Sequence, residues 1–110
     1  MRTQLPPALR TTIRAAAKAD KRAAIGWNDE VWVFVNGKPV FADKNTYQDT
    51  PAEKRKAPDG RLSLENGAFT LPLEAGDNEV VVALANKFFG WGLMLRLDDA
   101  DRITLATPAR

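Results

Sequence analysis

The residues able to do chemistry are few, and what is missing narrows the choice first. The 110-residue chain contains no histidine and no cysteine, and Ser63 is its one serine. Relays of the Ser-His-Asp or Cys-His type, an imidazole base near neutral pH, imidazole or thiolate metal ligation and a disulfide framework are all excluded within this chain. Carboxylates and lysines are what is left for acid-base work. Asp29 and Glu30 with Asp43 would have to face one another across a cleft at a defined separation to cleave a glycosidic bond. No such cleft is readable here, so a non-enzymatic role is expected. Asp98, Asp99 and Asp101 offer hard oxygen ligands, but their spacing fits no calcium-loop motif. They read as an acidic turn, and no metal or other cofactor is expected. What remains is chemistry of recognition: Asp43, Asn45 and Tyr47 set a polar and aromatic lip along one stretch of chain.

The elements that must position these side chains read as strands. Glu30 to Phe41, EVWVFVNGKPVF, is a β-hairpin: Val31, Val33 and Val35 alternate with Trp32 and Phe34, and Asn36-Gly37 supplies the two positive φ angles of a type I′ turn. Both faces of that strand are apolar, which predicts a central strand with Trp32 in the core. Leu9 to Lys18 fits a helical stripe through its alanines and fits a strand through its alternation and its β-branched Thr11, Thr12 and Ile13; the strand is favoured, because the apolar run Arg22 to Trp27 that follows a turn at Ala19 to Lys21 needs a partner. Gly26 marks a bulge or close approach, and Asn28-Asp29 a tight turn.

Residues 43–60 lose periodicity and read as a long loop with a charged tip, Glu53 to Lys56, between Pro51 and Pro58. Arg61 to Glu65 is expected to be a short strand, followed by an Asn66-Gly67 turn and a strand whose buried face is Phe69, Leu71 and Leu73, placed at an edge by Pro72. Glu79 to Ala85 is apolar on both faces and reads as central. The aromatic cluster Phe88-Phe89-Gly90-Trp91-Gly92 precedes an alternating Leu93, Leu95, Leu97 strand, and Arg102 to Thr107 closes the chain. About eight short strands with evenly spaced turns predict an all-β, antiparallel sandwich or jelly roll. One domain is expected over residues 9–107, with an N-terminal extension at 1–8 and a tail at 108–110.

Charge adds little. There are 16 basic and 14 acidic residues, net +2, with an excess at the N-terminus, where six basic residues up to Arg22 face Asp20 alone. Without aromatic interleaving or a nucleic-acid motif this reads as a solvated face, and no nucleic-acid partner is expected. No run approaches the ~20 apolar residues of a membrane span, and MRTQLPPALR lacks the apolar core of a signal peptide. The compartment is not readable.

The run VWVFVNGKPVF, followed some thirty residues later by LPLEAGDNEVVVALAN, resembles the galactose-binding-domain-like jelly rolls found as accessory domains beside glycoside hydrolases. FFGWGLMLRL is similar to the close of accessory domains in bacterial exported proteins of unassigned function. The resemblance covers Arg22 to Leu97 and implies a non-catalytic module with carbohydrate as partner. Sugar binding needs an aromatic ring for the C-H face of a pyranose beside carboxylates and amides for its hydroxyls. The candidates are Tyr47, Trp91, Trp27 and Trp32 for stacking, Trp32 being favoured as core, with Asp29, Asp43, Asn45 and Asn86 as polar partners. Each tryptophan also has a structural reading, Trp91 and Trp27 as plugs at the end of the sandwich. The second functional reading is a structural or protein-interaction domain, a fragment of a larger protein with other domains or chains as partners, showing an unsatisfied sheet edge near the N-terminus.

Overall fold

Eight strands and no helix make up the described part of a computed structural model, which covers residues 8–45, 62–85 and 92–106. In chain order they are β1 (Ala8–Ala15), β2 (Ala19–Asn28), β3 (Glu30–Val35), β4 (Lys38–Lys44), β5 (Gly67–Leu73), β6 (Gly76–Ala85), β7 (Gly92–Leu97) and β8 (Ile103–Ala106). A five-stranded sheet runs β4-β3-β6-β1-β8 and a three-stranded sheet runs β5-β2-β7, with every pairing antiparallel. The predicted sandwich is therefore the fold.

Alternation along each strand explains the core. Val31, Val33 and Val35 on β3, Val80, Val82 and Leu84 on β6, Ala23, Ile25 and Trp27 on β2, and Phe69, Leu71 and Leu73 on β5 form one buried cluster between the sheets. Period-2 patterning puts each set on one face of its strand, and removal of that face from water is the main favourable term in folding. Phe41 joins from β4, stacked on Phe69 with ring centroids 5.1 Å apart and meeting Trp27 edge-on at 5.6 Å.

Local expectations fare unevenly. Residues 9–15 are strand, not helix, and β1 lies between β6 and β8, so the N-terminal strand is interior rather than an open edge. The turn before β2 falls at residues 16–18, with Ala19 to Lys21 already in strand. Asn36 and Gly37 take φ of 51° and 82°, as the type I′ turn requires. Pro72 sits on β5, the edge of the small sheet, where a missing N-H costs no ladder bond. Gly26 is a close approach: a Cβ there would lie 2.2 Å from the Ser63 carbonyl oxygen. That contact also corrects one expectation. Residues 62–66 form a turn rather than a strand, because the Asn66 side chain folds the segment onto β2: its Oδ1 accepts from the backbone N-H of Ser63 at 3.1 Å and of Trp27 at 3.2 Å. β4 continues through Lys44, two residues past the expected start of the loop.

Candidate functional site

The turns β1–β2, β3–β4, β5–β6 and β7–β8 gather at one end of the sandwich, and the last residues of β2, β4 and β6 lie at the other. That second end holds Asp29, Asp43 and Asn45. Asp29 is the single residue between β2 and β3. Its N-H donates to the Ala85 carbonyl at 2.9 Å, and its own carbonyl accepts from the Asn45 N-H at 2.6 Å. The Asn45 side chain donates from Nδ2 to the Trp27 carbonyl at 2.8 Å. The ends of β2, β4 and β6 are thus tied into one corner by backbone groups that have run out of ladder partners.

The corner is buried, with Asp29 8 % and Asn45 3 % exposed. Two polar atoms in it lack a hydrogen-bond partner, Asn45 Oδ1 and Trp27 Nε1. Buried groups of this kind are normally satisfied, and leaving one unmet costs about 1–3 kcal/mol.

Beside the corner a recess of roughly 350 Å³ opens, lined by Glu30, Val31, Trp32, Ala42, Asp43 and Lys44. Lys44 Nζ lies 3.9 Å from Glu30 Oε1, and Asp43 Oδ1 accepts from the Lys44 N-H at 2.8 Å. The half-buried Trp32 belongs to the face of β3 that points away from the second sheet, and it takes no part in the core cluster. The recess therefore joins a partly exposed aromatic ring to carboxylate acceptors and an ammonium donor.

The structure brings Trp27, Asp29 and Asn45 together and sets Asp43 beside them, while Tyr47, Asn86 and Trp91 lie outside the described residues. Trp27 has no exposed surface, and its ring is closed over by Phe41 and Gly67. It presents no face for stacking and serves the core. Trp32 is the converse: expected in the core, it faces outward. The signal was present in the strand count. Eight short strands make two layers, so one face of every strand must look out, and among the described residues the Trp32-Phe34 face of EVWVFV has no third layer over it. Asp98 and Asp99 pair with Arg22 and Lys21, in keeping with an acidic turn. No group of three or more His, Cys, Asp or Glu among the described residues is placed to hold a metal ion.

No protein-family model matches the sequence, and no curated protein matches it. Among solved structures the chain is similar to a family 35 carbohydrate binding module from an environmental isolate, with a TM-score of 0.66 and 14 % identity over 96 % of this chain and 74 % of that one. At that identity the likeness is one of fold. The chain shares the antiparallel β-sandwich of that module.

Proposed function

We propose that this protein is a non-catalytic carbohydrate-binding module whose site lies at the β2–β3 end of the sandwich. One observation carries the reading: the outward Trp32 opens onto a recess that also holds Glu30, Asp43 and Lys44. A pyranose C-H face stacks on the indole while its hydroxyls bond the carboxylates and the ammonium. Asp29 and Asn45 hold the corner beside the recess in shape. Tyr47, Asn86 and Trp91, read from the sequence as stacking and polar partners, are proposed to belong to the same site.

A glycan array of the purified domain, followed by tryptophan-fluorescence titration of each hit, tests the reading. Saturable binding that Trp32→Ala abolishes, with the circular dichroism of the sandwich retained, is the expected result. A folded domain that captures no glycan removes it.

A further inference from the structure

The outer face of the five-stranded sheet continues away from the recess as a strip, and its composition specifies a ligand. Resting on the carbohydrate reading above, we infer that the ligand is an extended, uncharged polysaccharide chain laid along β3, rather than a single terminal sugar held at the corner.

Trp32 and Phe34 stand on the same face of β3, two residues apart, which is about 6.6 Å along a strand rising ~3.3 Å per residue. The register sets Ala42 and Ala83 on either side of Trp32, and Pro39 and Val81 on either side of Phe34. Small neighbours leave the indole standing clear, and the proline and valine extend an apolar floor past the phenyl ring. Trp32, Phe34, Val81 and Ala83 are all partly exposed and none packs against the core. The strip is thus an aromatic platform two rings long, continuous with the recess at its Glu30 end.

Charge decides the class of polymer. The charged residues bordering the strip are already matched: Arg10 with Glu79 at 3.3 Å, Arg14 with Asp77 at 2.7 Å and Lys44 with Glu30 at 3.9 Å. Among the described residues these three pairs cancel, and Asp43 in the adjoining recess adds one negative charge. A polyanionic chain would meet at least as many carboxylates as cations and gain nothing from the field, whereas a neutral chain meets no repulsion there. A ribbon of β-1,4-linked sugars, with its C-H faces turned to the rings and its hydroxyls to the bordering pairs, has the matching chemistry.

The test is isothermal titration of the full chain with β-1,4-linked glucose, mannose and xylose series from one to six units, with polygalacturonate as the charged control. Affinity is expected to rise at least tenfold from the monosaccharide to the hexasaccharide of the series that binds. Phe34→Ala should remove most of that gain while leaving short-ligand binding unchanged. Val81→Glu, which plants a charge beside Phe34, provides a second variant should Phe34→Ala fail to fold, and the same selective loss is expected. Affinity independent of chain length, or stronger binding of polygalacturonate, overturns the inference while leaving a sugar site at the corner intact. Self-association in sedimentation that Phe34→Ala relieves, with no gain from chain length, identifies the strip as a protein-docking face and overturns it too. Absence of any sugar binding overturns this inference and the module reading together.

Discussion

Two buried asparagines at opposite ends of the sandwich differ in how fully the fold uses their polar atoms, and the less fully used one lies at the end proposed to bind. At the hairpin-turn end Asn78 is fully buried and saturated. Its Oδ1 accepts from Asn36 Nδ2 at 2.9 Å and from the Glu74 N-H at 2.8 Å, and its Nδ2 donates to the carbonyls of Glu74 at 2.9 Å, Gly76 at 3.1 Å and Ile13 at 3.3 Å. Asn36 in turn exchanges bonds with the Glu79 backbone, so one side chain locks the β3–β4 hairpin to the β5–β6 turn. At the opposite end Asn45 makes one side-chain bond and leaves Oδ1 empty. The first residue spends all its polarity on the fold. The second keeps a buried acceptor unpaired in the corner beside the recess, a cost that most buried amides avoid.

If that contrast is right, the two asparagines differ in what their loss does. Asn78→Ala removes several buried hydrogen bonds and strands their backbone partners, and is expected to cost about 3 kcal/mol and lower Tm by roughly 10–15 °C in chemical and thermal denaturation. Asn45→Ala gives up one bond and removes an unmet acceptor, so its expected cost is about 1 kcal/mol or less, with the larger effect falling on glycan affinity. Equal stability losses at the two positions, with glycan binding untouched, would collapse the distinction between the ends.

Much of this was legible in the sequence where local chemistry and tertiary context agree. Asn36-Gly37 demanded positive φ, Pro72 demanded an edge, and Gly26 announced a backbone approach; all three are met. The resemblance around VWVFVNGKPVF reached the correct fold. What stayed hidden depended on contacts far apart in the chain. Arg61 to Glu65 alternate like a strand in sequence, yet Asn66 ties residues 62–65 into a turn by bonding Trp27, a residue nothing in that local pattern points to. Asn78 sits in GDN, an ordinary turn sequence, and its role follows only once Ile13, Asn36 and Glu74 are brought around it. Trp27 and Trp32 share one alternating stretch of chain, and the Asp29 corner between them reverses which kind of residue is buried: the tryptophan in β2 goes in, and the one in β3 goes out.

The smallest expected effect separates the two ends by pH. Asp77 and Asp99 both belong to the hairpin-turn end, and both carboxyls are held below the ordinary Asp range. Asp77 is lowered first by its hydrogen bond from Arg14, and Asp99 first by the Asp101 N-H and then by Lys21. A carboxylate depressed in the folded state adds stability that is complete above its unfolded pKa, about 3.9, and is lost as pH falls through the folded value. Acid should therefore loosen the hairpin-turn end, and only below about pH 4. Both carboxylates are solvent-exposed and screened, so the loss is expected to be slight and to shrink further in high salt. Hydrogen exchange between pH 5 and pH 3, corrected for the intrinsic rate, should show protection falling around Asn36, Asp77 and Asn78 before it falls at Asn45. Asp77→Asn should weaken that pH dependence without changing protection at the Asn45 corner. Simultaneous loss of protection at both ends would mean that acid acts on the sandwich as a whole, and that the saturated end is not a separately anchored unit.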